Sequence, residues 1–166
     1  MVRPVREADV QVYDVETNLV LANGSTNSSG NFSIPVVDSA TRTVGVRVLS
    51  SNIQVASLSF SVVDDVNADA VYLYHDASAD HSGHGPAVPV DFGTMTMPMA
   101  VGAVNTTDWS SQVFNVYDMG VLLADWIANA NGARPSVFYT MGWNPTQGRT
   151  GSFYNGGSNR LSLSDD

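Results

Sequence analysis

Three groups of side chains have the types and spacing to do chemistry. The first is Asp65-x-Asn67-x-Asp69 with Asp76 eleven residues after Asp65. Oxygen ligands at loop positions 1, 3, 5 and 12 wrap a hard cation, so Ca²⁺ is the expected ion. The pattern departs from the usual calcium loop at Ala70, where glycine makes the sharp turn, and at Asp76, which is shorter than the usual Glu. A solvated Asp/Asn turn uses the same residues. The second group is His75, His81 and His84, which are all the histidines of the chain. Neighbouring imidazoles bind copper or zinc, and Met95, Met97 and Met99 would favour Cu(I). The plainer reading is a polar connector followed by one face of a strand. The third is Asp118 and Asp125, seven residues apart and so on one helix face. They form either a carboxylate pair or a polar stripe, and the stripe is preferred. No H-E-x-x-H, nucleophile elbow or phosphate-cradling glycine loop occurs. No catalytic residue is therefore expected.

The elements that must position these groups are mostly strands. Val10 and Val12 alternate with polar neighbours, and residues 14–18 read as a turn. Leu19-Val20-Leu21-Ala22 starts a second strand, and residues 23–30 form a polar turn cluster. Phe32, Ile34 and Val36 alternate again. Val44, Val46 and Val48 share one face, with Gly45 and Arg47 on the other. Ile53, Val55, Leu58, Phe60 and Val62 continue the β pattern. Val71-Tyr72-Leu73-Tyr74 is a further strand candidate, while Pro86, Pro89 and Pro98 exclude a helix around them. One stretch has a helical period. Over 107–131, Trp109, Val113, Val116, Tyr117, Leu123, Trp126 and Ile127 trace an apolar stripe. Phe114, Val121 and Leu122 widen it, so burial on more than one side is expected. Asn131-Gly132 and Pro135 stop the helix. Short strands are expected at 136–139, 151–154 and 160–163.

Composition narrows the function classes. The 166 residues carry a net charge of −9. All seven basic residues are Arg, and fourteen of the sixteen acids are Asp. An acidic chain without a basic patch is a poor partner for nucleic acid or an anionic membrane. Without Cys there is no disulfide and no thiolate zinc site. No apolar run is long enough to span a bilayer. Sequons at Asn23, Asn27, Asn31 and Asn105 arise readily in Ser/Asn-rich turns.

Two parts of the chain resemble known families. Arg3-Pro4-Val5-Arg6-Glu7-Ala8-Asp9-Val10-Gln11-Val12, then Leu21-Ala22-Asn23-Gly24-Ser25-Thr26 and Ser29-Gly30-Asn31-Phe32-Ser33, resemble the carboxypeptidase-regulatory-like β-sandwich of secreted proteins. Such modules usually carry another strand before the Arg-Pro segment. Val113-Phe114-Asn115-Val116-Tyr117-Asp118, Ala124-Asp125-Trp126-Ile127 and Gly132-Ala133-Arg134-Pro135 resemble the amino-terminal part of a gluzincin-like metallopeptidase domain. Trp143, Gly151-Ser152-Phe153-Tyr154-Asn155 and Asn159-Arg160-Leu161-Ser162-Leu163 continue that pattern. The resemblance implies a helix on a small sheet, leading in those proteins to a zinc helix that this chain lacks. The His/Met segment resembles those of periplasmic copper-handling proteins.

The expected fold is thus mainly β, an Ig-like or carboxypeptidase-regulatory-like sandwich followed by a small α+β segment. The expected division is 1–75 sandwich, 76–106 connector and 107–166 α+β segment. The expected function is a non-catalytic structural or binding module of a secreted metallopeptidase-like protein, located outside the cell or on its surface. Its partners would be other protein chains or the remainder of a longer polypeptide, with a homo-oligomer as a further option. The alternatives are a self-assembling extracellular subunit that uses strand addition and calcium, and a copper- or zinc-binding protein.

Overall fold

The computed structural model describes residues 4–52, 60–64, 70–85, 89–97, 110–134, 139–143, 153–157 and 159–163. It is mainly β with one long helix, as the hydrophobic periods imply. Strands β1 (Asp9–Asp14) and β2 (Val20–Ser25) form an antiparallel hairpin. The turn between them is set by Asp14, whose Oδ1 accepts the Glu16 amide at 2.9 Å, and by Asn18, held at φ 58°. Asn and Asp serve such turns because their short side chains bond nearby amides and tolerate the left-handed region. Strand β3 (Arg42–Leu49) pairs with the other edge of β1.

The other edge of β3 is paired at both ends. Strand β6 (Leu73–His75) pairs with residues 47–49 and β7 (His81–His84) with residues 42–44. Between them the chain loops out through a 3₁₀ turn at Ala77–Ala79, capped by Asp76. The first sheet therefore runs β2-β1-β3-β6, with β7 also on β3.

A second sheet has the order β5-β4-β8-β10-β9. It uses β4 (Phe60–Asp64), β5 (Ala70–Val71), β8 (Tyr139–Gly142), β9 (Phe153–Asn155) and β10 (Arg160–Ser162). Strand β8 runs parallel to both β4 and β10, and the remaining pairs are antiparallel. Parallel neighbours need a long crossover, usually helical. Here the connection from β4 to β8 contains α1 (Ser110–Asn131), which packs back on β4.

Residues 50–52 join the two sheets. The Val62 amide donates to the Ser50 carbonyl, and the Ser50 amide donates to the Tyr72 carbonyl. Ser51 and Ser61 form a bridge, and the Phe60 amide donates to Asn52 Oδ1 at 2.6 Å. Tyr72 is also where the expected strand 71–74 splits, since β5 belongs to one sheet and β6 to the other.

The core gathers one face of the first sheet (Val10, Val12, Val46, Val48), β4 (Phe60, Val62) and one face of α1 (Val113, Phe114, Tyr117, Val121, Ala124). Gly120 lets the helix approach β4: a Cβ there would sit 2.4 Å from the Phe60 ring.

Two expectations change. Phe32, Ile34 and Val36 form no ladder, because that segment crosses over the hairpin. Ile34 packs where a Gly24 side chain would be, 2.6 Å from an ideal Cβ. Of the strand expected at 136–139, Tyr139 lies in β8 and residues 136–138 lie outside the described residues. The helix buries one face rather than several: Met119, Leu122, Leu123 and Trp126 are exposed, Trp126 to 67%. Trp109 and the expected cap at Thr107 or Asn105 lie outside the described residues.

Candidate functional site

The alternation of β3 sends Val44, Val46 and Val48 into the core and leaves Gly45 and Arg47 on the outer face of the first sheet. Register then aligns four polar residues across it. Asn23 lies opposite Gln11, Gln11 opposite Arg47, and Arg47 opposite His75. Four strands at a spacing of about 4.8 Å give a row roughly 14 Å long.

Three of the four, Asn23, Gln11 and Arg47, are linked by side-chain hydrogen bonds. Gln11 Nε2 donates to Asn23 Oδ1 at 3.2 Å, and Arg47 Nε donates to Gln11 Oε1 at 2.7 Å. Arg47 Nη1 donates to Asn18 Oδ1 at 2.8 Å, and its guanidinium lies 4.7 Å from the centre of the Tyr13 ring. Tyr13 is buried beneath it, and the His75 ring meets it edge-on at 5.5 Å. Burial pushes the Tyr13 phenol above its ordinary value, with the Asp80 carboxylate adding to this and Arg47 opposing it.

His75 Nε2 lies 2.7 Å from Asp80 Oδ1. Asp80 reaches the sheet only because residue 45 is glycine. A Cβ at Gly45 would stand 2.6 Å from Asp80 Oδ1 and 2.9 Å from Val15 Cγ2.

Charge is distributed unevenly among the arginines. Arg6 pairs with Asp118, Arg42 with Asp14 and Asp38, and Arg134 with Glu7 and Asp125. Arg47 instead meets neutral oxygens and an aromatic face, and among the described residues it pairs with no carboxylate.

The residues singled out by sequence fall as follows. The strand pleat separates the histidines. His75 is opposite Arg47 on the outer face, whereas His81 is opposite Val44. His81 meets Phe92 edge-on at 5.2 Å, and its Nε2 lies 3.1 Å from the Asp91 carbonyl. His84 borders a cavity of about 240 Å³ lined by Val12, Leu21, Ile34, Val44 and Phe92. Among the described residues no three His, Asp or Glu side chains converge on one point.

Asp65, Asn67 and Asp69 lie outside the described residues, so the calcium pattern is represented by Asp76 alone. Asp76 Oδ1 accepts from the Ser78 amide at 3.0 Å and from Ser78 Oγ at 2.6 Å. These bonds, the hydroxyl's first, hold its carboxyl below the ordinary range. Met95 and Met97 pack against the core, and Met99 lies outside the described residues.

Asp118 and Asp125 do share a helix face, and both serve to anchor the helix. Arg6 donates to Asp118 through Nε at 2.9 Å and Nη2 at 2.8 Å. Arg134 bridges Asp125 and Glu7, and the Tyr117 hydroxyl donates to the Glu7 carbonyl at 2.7 Å.

Sequence reasoning missed Gln11, Tyr13 and Asp80 as members of a site. A signal existed in Val44-Gly45-Val46-Arg47, which already placed an arginine and a glycine on the solvent face. What the sequence lacked was the register that aligns them with Gln11 and His75. Comparison with known protein families, curated proteins and solved structures gives no match.

Proposed function

We propose that the chain is a non-catalytic binding module of a secreted metallopeptidase-like protein, and that the outer face of the first sheet is its binding surface. The observation that carries this reading is the ordered row Asn23–Gln11–Arg47–His75, in which the arginine is braced by neutral groups. Charged side chains on a solvent face ordinarily scatter into water or pair with opposite charges. A guanidinium held in position by amide oxygens and an aromatic ring is instead pre-organised to meet an outside group. The helix supports the non-catalytic part of the reading. Its two spaced carboxylates, Asp118 and Asp125, are committed to Arg6 and Arg134 as anchors to the amino-terminal segment.

The test uses purified chain incubated with cell-surface material of the producing organism, alongside a zinc-supplemented peptide-hydrolysis assay. Retention on the surface material, weakened when Arg47→Met and His75→Ala are combined, is expected. Zinc-dependent peptide hydrolysis, or no retention of the unaltered chain, overturns the reading. Equal thermal unfolding temperatures for variant and parent show that the fold is intact.

A further inference from the structure

We propose that the outer sheet face takes a short acidic sugar chain, with the carboxylate of a uronic acid on Arg47. This rests on the binding-module reading and names its ligand. A guanidinium has five N–H donors in a rigid fork, matched to the two oxygens of a carboxylate. In Arg47, Nε is bonded to Gln11 and Nη1 to Asn18, so among the described residues Nη2 and the second Nη1 proton remain to grip an anion. Arg47 is only partly buried, so the group is accessible.

The neighbours fit a sugar better than a peptide. Extended peptides are recognised by adding to an exposed strand edge, with backbone hydrogen bonds supplying affinity. Arg47 and Gln11 sit on β3 and β1, which are paired on both sides. What the face offers is side chains alone. Asn18 and Asn23 are exposed amides, able to give and accept hydrogen bonds from hydroxyls. Beside the row, the register places Leu49 opposite Leu73, and Leu73 is 54% exposed. An apolar step next to a polar row matches the two characters of a pyranose, its C–H face and its hydroxyl rim. The row of roughly 14 Å accommodates about three sugar units.

Charge sets the ligand's length. Of the nearby carboxylates, Asp14 and Asp38 pair with Arg42, whereas Asp80 lies 2.7 Å from the His75 ring nitrogen and Glu16 accepts only a hydroxyl bond from Thr43 at 3.4 Å. The chain as a whole still carries −9. A long polyanion would be repelled by that field, whereas a short oligouronate meets mainly the local guanidinium.

The experiment is calorimetric titration of the full chain with trigalacturonate, a neutral trisaccharide of glucose and triglutamate, at moderate salt. Trigalacturonate is expected to bind, and Arg47→Met to weaken it roughly tenfold or more. That substitution keeps an unbranched side chain on the strand while removing the guanidinium, both its fork and its contact with the Tyr13 ring. Addition of molar salt is expected to weaken binding further. Equal binding of the neutral trisaccharide overturns the carboxylate assignment. Equal binding of triglutamate overturns the sugar assignment. If no titrant binds while the chain is still retained on cell-surface material, the ligand class is wrong and the binding module stands. If both fail, both readings fall.

Discussion

Gly120 shows how a single residue reverses a general rule. In an exposed helix interior, Gly→Ala stabilises by about 1 kcal/mol. Here the added methyl would land 2.4 Å from the Phe60 ring, inside the core. Overpacking of that kind costs about 1–3 kcal/mol, so Gly120→Ala is expected to lower the urea midpoint without changing the slope. The Tyr117 hydroxyl carries a second residue-scale prediction. Burial, reinforced by the charges of Asp9, Glu7 and Asp118, holds the phenol neutral far above its ordinary value. Its bond to the Glu7 carbonyl is therefore made by a neutral donor at every working pH. Tyr117→Phe is expected to cost about 1 kcal/mol by the same denaturation measurement. Arg42 supplies a pH prediction. Its hydrogen bonds hold the carboxyls of Asp14 and Asp38 below the ordinary carboxylate range. A depressed folded pKa means stabilisation that is complete above the unfolded value and lost as pH falls through the folded one. Acidification from pH 7 to pH 3 should thus lower the melting temperature more for the parent than for Arg42→Met.

At the level of elements, the sequence was readable where one period dominates. Val10 with Val12, and Val44 with Val46 and Val48, mark strands whose inner faces are now in the core. The helix was equally plain, but its orientation was not. Trp126 and Leu123 looked like members of the buried stripe, and both face solvent, while Ala124 and Asp118 are buried. The cause is anchoring by polar groups. Arg6 and Arg134 draw Asp118 and Asp125 towards the amino-terminal segment, and that rotation fixes which apolar residues turn inward. Substitutions separate the two faces. Phe114→Ala is expected to cost about 3–5 kcal/mol in chemical denaturation. Trp126→Ala should stay within about 0.5 kcal/mol, as exposed positions do. The segment 31–40 misled for the opposite reason. Alternation there reports contacts with the core and with Gly24, not a hydrogen-bonded neighbour. The polar row was half visible, since Arg47 on an outer face follows from pattern, while its partners follow only from register.

For the molecule as a whole, the pairing of β4 with β8 was the least legible feature. It joins residues near 60 to residues near 140 in parallel, and no local signal in either strand names the other. The seam at residues 50–52 ties that sheet to the first one. Asn52 is fully buried, and its Oδ1 is the acceptor for the Phe60 amide. Asn52→Ala would leave that amide without its acceptor, at a cost of about 1–3 kcal/mol. Because the seam and a shared core couple the sheets, near- and far-ultraviolet circular dichroism should report one coincident thermal transition. Separated transitions would mean that the sheets melt independently. The order of the strands also bears on how the protein is made. All strands of the first sheet have been made by His84, yet the core that its valine face enters is completed by a helix that ends at Asn131. At 5–20 residues per second, those 47 further residues (131 − 84) take roughly 2–10 s. During synthesis, then, a finished sheet waits with its apolar side covered only in part, by residues such as Phe32, Ile34 and Phe60, and that interval is when the nascent chain most needs a chaperone's cover.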